Sequence, residues 1–115
     1  MDDCIFCKII RKEIPANILL ESDDAVMIED IHPSAPVHYM VIPKQHIDSI
    51  VNTSESDVLL VGRLVLMGKE GAEKLSLSGY KLVFNVGPDG GQIIGHIHLH
   101  VIGGWKADEP KKLTV

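Results

Sequence analysis

The segment His96-Ile97-His98-Leu99-His100-Val101-Ile102 alternates imidazole and aliphatic side chains. Side chains alternate faces along a β-strand, so this pattern predicts that the three histidines share one face and the aliphatic residues the other. The aliphatic face is expected to pack into a core. Neighbouring imidazoles would then lie about 7 Å apart, at a rise of about 3.4 Å per residue. The predicted strand covers Ile97 to Ile102 and is ended by Gly103-Gly104.

Three explanations fit a row of histidines on one strand face. A solvated face would carry them without a function. Histidines at i and i+2, with a third nearby, could also hold a catalytic zinc ion with one open position. Alternatively, neutral imidazole is a nucleophile near pH 7, because its unperturbed pKa is about 6.5. A neighbouring imidazole could then donate a proton or a hydrogen bond. We disfavour the solvated face, because a chance cluster of histidines would seldom also follow a glycine-rich loop; the zinc site and the nucleophile both stay open at this point.

That loop, Gly87-Pro88-Asp89-Gly90-Gly91, leads through Gln92 toward the histidine strand. Glycines allow backbone N–H groups to approach a phosphate closely. The loop matches neither the Walker pattern nor the dinucleotide-binding pattern. Beside three histidines, it is predicted to cradle a phosphoryl group rather than to form an ordinary turn.

Short aliphatic runs predict the other elements of a sheet. A turn at 22–24 joins the first two strands into a hairpin, and Pro43 closes the third. The four additional strands are Ile18 to Glu21, Ala25 to Ile28, Val37 to Ile42 and Tyr80 to Val86. Most connections are too short for parallel crossovers. The sequence therefore predicts an α+β domain over residues 1–115, with a five-stranded antiparallel sheet.

Two helices complete the prediction. Apolar and basic residues at helical spacing predict a short N-terminal helix from Ile5 to Ile14, stopped by Pro15. A long helix is predicted from Ser54 to about Leu77, capped by Ser54 and packed on one face of the sheet. Each glycine inside it costs about 1 kcal/mol relative to alanine. A close contact with a strand or a second subunit, or simply a less stable helix, would account for these glycines, which are Gly62, Gly68 and Gly71.

The composition limits the possible partners and compartments. The chain has 115 residues, of which 45% are hydrophobic, and its formal net charge is −5. This charge leaves no cationic surplus for binding a nucleic acid polymer. No apolar run reaches the roughly 18 residues that span a membrane. The N-terminus, Met1 to Cys4, has no signal-peptide pattern, so we expect a cytoplasmic location. Cys4 and Cys7 suit a metal or a redox pair better than a structural disulfide.

Several further blocks surround the histidine strand in a recognisable order. They are Phe6 to Pro15, Asp30-Ile31-x-Pro33-x-Ala35-Pro36-x-His38, Val41-Ile42-Pro43-Lys44-x-His46, Asn85-x-Gly87-x-Asp89-Gly90-Gly91-Gln92 and Gly103-Gly104. With His96-x-His98-x-His100, they resemble the histidine-triad (HIT) superfamily. The resemblance covers nearly the whole chain and is closest to the Hint branch, the nucleotide-binding phosphoramidases.

This resemblance implies a homodimer whose two sheets join, with a purine nucleoside monophosphate site on each subunit. It implies that His98 attacks the α-phosphorus and forms a nucleotidyl-histidine, while the backbone carbonyl of His96 orients its ring. His100 and His38 would line the α-phosphate and the leaving group. The implied enzyme is a hydrolase that cleaves the P–N bond of nucleoside 5′-phosphoramidates.

The resemblance also assigns the nucleotide contacts. Asn85 and Gln92, with loop amides such as that of Gly91, would hold phosphate oxygens. Asp30 would accept hydrogen bonds from the ribose hydroxyls, since a carboxylate is a good acceptor for two hydroxyls. Two apolar side chains would flank the base, and these are Ile28 and Ile31. Such apolar flanks accept adenine or guanine, so AMP and GMP remain equal candidates.

The cysteine pair has the spacing of half a zinc site. Similarity to zinc-bearing members of the superfamily implies that Cys4 and Cys7 are joined by His46 and His96. A closed site of two cysteines and two histidines is structural rather than catalytic. Free thiols at a frayed terminus, or a redox pair, are the alternatives.

Two positions depart from the Hint pattern. Ile93 follows Gln92 where animal members resembling this chain have serine, so a hydroxyl contact to the phosphate or leaving group is lost. Trp105 directly follows Gly104, earlier than the tail tryptophan of those members. Besides the phosphoramidase, two functions stay open: a non-catalytic nucleotide-binding module, and a zinc hydrolase using the histidine strand as ligands.

Overall fold

The computed structural model describes residues 3–113 and residue 115, so Met1 and Asp2 of the segment considered for a signal peptide lie outside it. The described elements, in chain order, are α1 (Ile5–Ile10), β1 (Ile18–Glu21), β2 (Ala25–Glu29), β3 (Val37–Pro43), α2 (Val58–Lys74), β4 (Tyr80–Phe84) and β5 (Leu99–Gly103). Short 3₁₀ turns lie at Ile50–Asn52, Glu55–Asp57 and Pro88–Gly90. None of the helices formed by the described residues has the length and apolar character of a membrane span.

The five strands form one antiparallel sheet in the order β1-β2-β3-β5-β4. This confirms the predicted α+β architecture. The register sets one row of paired residues across four strands. It runs from Ile28 through Met40 and His100 to Val83. The strand carrying the histidines is therefore central, with β3 on one side and β4 on the other.

Helix α2 covers one face of the sheet. Its Leu64, Met67 and Ala72 are buried against Leu99 and Val101 of β5, within the larger apolar cluster. The glycines on this side permit close approach, because a Cβ on Gly71 would overlap the side chain of Met27, and one on Gly68 would lie 3.3 Å from Val101. Contact with strands thus accounts for two of the glycines. A Cβ on Gly62 would meet nothing within 4 Å.

Helix α1 packs on the opposite face of the sheet. Phe6 and Ile9 are buried there, in a second apolar cluster with Ile28, Met40 and Ile42. The imidazoles of His98 and His100 lie on this same side. The sheet thus has a filled core under α2 and, on its other face, α1 beside the histidines.

The predicted helix boundaries were too wide. Helix α1 ends at Ile10 rather than Ile14, because Lys12 takes a left-handed conformation with φ 64°. The N–H of Glu13 then bonds the carbonyl of Lys8 at 2.9 Å, which closes the helix before Pro15. Helix α2 ends at Lys74 in the same way, with Ser76 at φ 59°. Helix α2 also begins later than predicted, at Val58 rather than Ser54. The segment predicted as its first turn is the 3₁₀ turn Glu55–Asp57, in which the Asp57 carboxylate accepts the N–H of Ser54 at 3.0 Å.

The histidine strand is also shorter than predicted. Strand β5 begins at Leu99, since the N–H of Ile97 donates to the carbonyl of Ile47 at 2.8 Å instead of to a neighbouring strand. Strand β4 ends at Phe84 rather than Val86, before Gly87 turns the chain at φ 73°. His96 and His98 therefore lie on the irregular approach to β5, and His100 within it.

Candidate active site and metal centre

A cavity of about 490 Å³ lies beside α1 on the histidine face of the sheet. Its lining includes His38 of β3, His98 and His100. Ile28 and Asp30 line the β2 side, and Asn85 and Gly91 line the β4 side. Volumes of this size are typical of small-molecule sites. The structure thus gathers residues from four neighbouring strands and their ends around one pocket.

His98 lies on the floor of the cavity and is 8% exposed. Its Nδ1 is 2.7 Å from the carbonyl oxygen of His96, and a carbonyl only accepts, so Nδ1 carries the proton. The neutral ring therefore has its lone pair on Nε2. Burial lowers the pKa of His98, although the His96 carbonyl opposes this. Phe6 packs against the ring with 5.1 Å between ring centroids. The result is a fixed, neutral imidazole with an unprotonated nitrogen, which is the form that acts as a nucleophile.

A second set of contacts fixes the protons of His38 and His100. The backbone N–H of Ser34 donates to Nδ1 of His38 at 3.0 Å, so a neutral His38 carries its proton on Nε2. That Nε2 lies 2.9 Å from Nδ1 of His100 and 3.4 Å from a carboxylate oxygen of Asp30. It can donate to His100, whose own proton then resides on Nε2. The geometry therefore makes His100 a hydrogen-bond donor beside His98.

Both of these histidines are neutral near pH 7. The pKa of His100 is lowered to about 4, chiefly by burial and then by the neighbouring His98 and His38. Burial also lowers the pKa of His38, while the carboxylate of Asp30 acts in the opposite direction. A neutral cluster is chemically consistent with the tautomers above, because each ring has one donor and one acceptor nitrogen.

The predicted row of three imidazoles is present only in part. The rings of His98 and His100 lean together, with centroids 4.9 Å apart instead of about 7 Å from strand geometry. His96 is completely buried and does not line the cavity. Its ring turns toward the cysteines, because residue 96 precedes β5 and is free of the strand's alternation.

The glycine-rich loop meets the cavity at one end. Gly87 and Gly91 have φ values of 73° and 90°, which only glycine adopts readily. Asn85 lines the cavity, and its side-chain amide donates to the backbone oxygen of Val115 at 3.1 Å. The structure does not bring Gln92 to the cavity. Its amide oxygen accepts from the N–H of Gly87, and its amide nitrogen donates to the carbonyls of Asp48 and Ile94.

The two cysteines meet the two predicted histidines in one cluster. The ligand atoms of Cys4, Cys7, His46 and His96 all lie within 4.8 Å of one another. Sulfur-to-Nδ1 distances are 3.3 Å for Cys4 and His96, and 3.2 Å for Cys7 and His46. For tetrahedral zinc with bonds of about 2.3 Å to sulfur and 2.0–2.1 Å to nitrogen, a separation of about 3.5 Å is expected.

The proton positions of this cluster also fit a metal. Nε2 of His46 donates to the carboxylate of Asp48 at 2.7 Å, and Nε2 of His96 donates to the carbonyl of Pro43 at 2.8 Å. Both Nδ1 lone pairs therefore face the sulfurs, as metal ligation requires. Burial raises the pKa of Cys7, and its hydrogen bond with Cys4 acts in the same direction. A bound cation would offset that cost by stabilising the thiolates.

Several contributors were not assigned a role from the sequence. Phe6 is one of them. Its position between Cys4 and Cys7 could have indicated its role, because the short segment that joins two metal-ligand candidates must lie close to the site. Asp48 is another, and it lies two residues after His46, a short-range spacing for a carboxylate–histidine pair. The backbone groups of Ser34 and Pro43 fix tautomers, and no side-chain pattern reveals such contacts.

These features define a class: an α+β protein with neutral, buried imidazoles lining a cavity of small-molecule size and a Cys₂His₂ cluster beside it. Residues 3–112 match the family described as "Scavenger mRNA decapping enzyme C-term binding". The chain is 42% identical over 104 residues to Protein HitA of Neisseria gonorrhoeae, covering 90% of this chain and 97% of that protein. The chain belongs to the histidine-triad (HIT) family.

Solved structures agree with this assignment. A HIT family hydrolase from Legionella pneumophila superposes with a TM-score of 0.88 at 42% identity, covering 94% of this chain and 98% of that one. A Zn-bound histidine triad family protein from Mycobacterium smegmatis has a TM-score of 0.82 at 29% identity, covering 94% of this chain and 79% of that one. The chain thus shares its fold with proteins named as hydrolases.

Proposed function

We propose that the protein is a hydrolase of purine nucleoside 5′-phosphoramidates, acting at the α-phosphorus through a nucleotidyl-histidine. The observation that carries this proposal is the state of His98. Its Nδ1–H is held by the His96 carbonyl at 2.7 Å, which leaves the lone pair on Nε2 of a ring that lines the cavity. A nucleophile fixed in this way meets the need of phosphoryl transfer for positioning.

The proposed nucleotide crosses the sheet along the cavity. Ile28 is buried and Ile31 is 82% exposed, so the two offer an apolar floor and rim for the purine ring of AMP or GMP. Asp30 would accept hydrogen bonds from the ribose hydroxyls. Asn85 and the amide of Gly91 would bind phosphate oxygens. We assign Gln92 to the phosphate site only indirectly, through the loop that its amide holds.

The reaction would proceed in two displacements. In the first, Nε2 of His98 bonds to phosphorus, the P–N bond breaks, and the leaving nitrogen takes a proton from solvent to become the free amine. In the second, water attacks phosphorus, the bond to His98 breaks, the attacking water gives up one proton to solvent, and the nucleoside monophosphate is released. His100, with its proton on Nε2, would stabilise the phosphate and leaving group, and His38 would hold His100 in that tautomer. Splitting the hydrolysis in this way replaces one difficult step by two easier ones.

The test is turnover and intermediate trapping with an adenosine 5′-phosphoramidate. We expect His98→Ala to lower kcat/KM by at least about 10³-fold, as removal of a nucleophile does. AMP binding should persist, because the ribose and base contacts remain. In rapid quench, the unsubstituted protein should yield a nucleotidyl-protein that His98→Ala does not form. Near-normal turnover of His98→Ala would refute the mechanism. Tight AMP binding without any turnover would instead indicate a nucleotide-binding module.

We further propose that the Cys₂His₂ cluster binds a structural zinc ion; the mycobacterial relative is itself named as Zn-bound. Cys4, Cys7, His46 and His96 would complete its coordination, leaving no open position for a substrate. The zinc would stabilise the link between α1 and the approach to β5. Stoichiometric zinc should be present in protein purified without chelators and absent from Cys4→Ser and Cys7→Ser. Zinc retained in both variants would favour a site at the active-site histidines instead.

A homodimer and a cytoplasmic location complete the proposal. Strand β4 lies at an edge of the sheet, and its Leu82 is 37% exposed. Helix α2 also exposes apolar side chains, among them Leu66 at 63% and Leu59 at 71%. Joining two β4 edges would cover Leu82 and pair free strand groups. Light scattering would give the mass in solution. A reducing compartment would keep Cys4 and Cys7 as the free thiols that zinc requires.

A further inference from the structure

The Cys₂His₂ cluster contains the only two cysteines of the chain, and their thiols differ in exposure. Cys4 is half-buried, whereas Cys7 is 8% exposed. The backbone N–H of Cys7 donates to the sulfur of Cys4 at 3.5 Å, a contact that favours negative charge on that sulfur. A small reagent from solvent therefore reaches Cys4 first, and the second sulfur lies directly behind it.

The two sulfurs are close enough to form a disulfide with each other. They lie within 4.8 Å of one another, and a disulfide bond needs a separation of about 2.0 Å. Two residues separate Cys4 from Cys7, which is the spacing of dithiol redox pairs. Because Cys4 precedes α1, rotation of its side chain can close the gap without unwinding the helix.

Two sets of contacts connect this cysteine pair to His98. In the first, Nδ1 of His96 lies 3.3 Å from the sulfur of Cys4 and 3.7 Å from that of Cys7. The backbone carbonyl of His96 in turn accepts the Nδ1–H of His98. In the second, Phe6 packs on the rings of His96 and His98, with centroids 5.8 Å and 5.1 Å away. Phe6 lies between the two cysteines, so a change in their bonding acts on both neighbours of the His98 ring.

A disulfide would remove the partners of the His96 ring. His96 is completely buried, and its Nδ1 faces the sulfurs while its Nε2 donates to Pro43. Sulfurs joined to each other are no longer thiolate ligands, so a cation at the cluster would keep only two imidazoles. A buried nitrogen without a partner is unfavourable. Residue 96 precedes β5 and is not held by strand pairing, so the carbonyl that orients His98 can shift.

We propose that Cys4 and Cys7 form a thiol–disulfide switch that responds to hydrogen peroxide and controls the orientation of His98. This inference rests on the proposed zinc site and phosphoramidase. The thiolate of Cys4 attacks one peroxide oxygen, the O–O bond breaks, and a sulfenic acid and a hydroxide form. The thiolate of Cys7 then attacks the Cys4 sulfur, the S–O bond breaks, and a second hydroxide leaves. The two sulfurs together lose two electrons, which the peroxide gains, and a dithiol reductant reverses the change by exchange.

Treatment of the zinc-loaded full chain with hydrogen peroxide tests the proposal. We expect one zinc ion to be released, measured with a chromophoric indicator, for each intrachain disulfide, measured by mass spectrometry as the loss of two hydrogens. The kcat/KM for adenosine 5′-phosphoramidate should fall at least about tenfold, because a small displacement of a reacting group slows the reaction strongly. The imidazole nitrogen NMR signals of His98, assigned with His98→Ala, should shift. Dithiothreitol with zinc should restore the zinc content, the turnover and the signals.

The double variant Cys4→Ser/Cys7→Ser is the matched control, because it keeps every methionine and histidine that peroxide also attacks. Whatever its basal turnover, peroxide should not lower it. Reversal by dithiothreitol draws the same distinction if this variant does not fold, since that reagent does not reduce methionine sulfoxide.

Three results would overturn the inference: zinc release without an intrachain disulfide, a disulfide that leaves the His98 signals and turnover unchanged, or an equal loss of turnover in the control. Protein that binds no zinc would refute the zinc site and this inference together, while turnover upheld the phosphoramidase. Absence of turnover in the reduced protein would refute the proposed function alone, because zinc release, the disulfide and the His98 signals still test the switch.

Discussion

Substitution of Asp48 tests how the Cys₂His₂ cluster is preorganised. The carboxylate of Asp48 accepts the Nε2–H of His46 at 2.7 Å, and this contact leaves the Nδ1 lone pair aimed at the sulfur of Cys7. Asp48→Ala would free the His46 ring to rotate and to change tautomer. The backbone carbonyl of Asp48, which accepts from Gln92, would remain in place. The substitution therefore removes one hydrogen bond to the His46 ring without changing any of the four cluster residues.

The expected loss of zinc affinity follows from the geometry. Removing an outer-shell partner of a metal ligand typically costs 10–100-fold in affinity, or about 1.4–2.7 kcal/mol. The contact is short and charge-assisted, but the Asp48 side chain is 69% exposed, so water can replace the carboxylate. We therefore expect the lower end, about tenfold. Asp48→Asn keeps an acceptor oxygen and should lose less.

Competition against a chromophoric chelator would measure the affinity, and thermal unfolding at fixed free zinc would report it independently. With zinc above its dissociation constant, a tenfold loss lowers the stability by about 1.4 kcal/mol. For a chain of this size, the corresponding change in Tm is about 5 °C. Without zinc, the variant and the unsubstituted protein should unfold at similar temperatures.

Asp24→Ala is the control, because Asp24 also forms an exposed ion pair, with Arg63 at 2.9 Å, and lies outside the cluster. Both variants remove one negative charge from a chain of net charge −5. Asp24→Ala should bind zinc as tightly as the unsubstituted protein, since exposed ion pairs contribute about 0–1 kcal/mol and only to stability. Equal zinc affinity for all three proteins would refute the assigned role of Asp48, and an equal loss in both variants would indicate a charge effect alone.

Two further predictions concern stability. Gly71→Ala should lower the free energy of unfolding, measured in urea, by about 1–2 kcal/mol, because the added methyl group overlaps Met27 and this overpacking outweighs the gain in helix propensity. A Gly71→Ala variant more stable than the unsubstituted protein would contradict the close packing of α2 on the sheet. The pKa of His100 is lowered to about 4 in the folded chain, so between about pH 4 and pH 6.5 the unfolded chain binds the extra proton and stability falls as the pH falls. His100→Gln should flatten this acid dependence by up to about 3 kcal/mol, and parallel curves for the two proteins would show that His100 does not cause it.

Local periodicity predicted the sheet well, since alternation along a strand depends only on neighbouring residues. Val101 and Leu99 pack under α2 and His100 faces the cavity, as the alternation required. The same alternation failed at His96, because Ile97 bonds to Ile47 and the chain is not yet a strand there. Contacts between residues far apart in sequence carry no periodic signal.

The helix ends and the role of Gln92 show the same limit of prediction from the sequence. Pro15 is a clear stop signal, but the left-handed Lys12 ends α1 earlier, and a lysine gives no warning of that conformation. Gln92 stands beside the loop in sequence, yet its amide satisfies Gly87, Asp48 and Ile94. A polar side chain next to a ligand loop can serve either the ligand or the loop. Only the three-dimensional contacts distinguish the two roles.

Proton positions also separate the two clusters that could hold a metal. The second one, Asp30 with His38 and His100, has ligand atoms as close together as the Cys₂His₂ cluster. Its metal-facing atom on His38 would be Nε2, but the Ser34 N–H already uses the lone pair on Nδ1. Binding a metal at Nε2 would then require an imidazolate, or the loss of the Ser34 contact inside a buried site. The cysteine cluster has no such conflict, since backbone and carboxylate acceptors hold its protons outward. The proton positions therefore favour the cysteine cluster as the one that could hold a metal, and they are consistent with the proposed role of His38 and His100 beside His98.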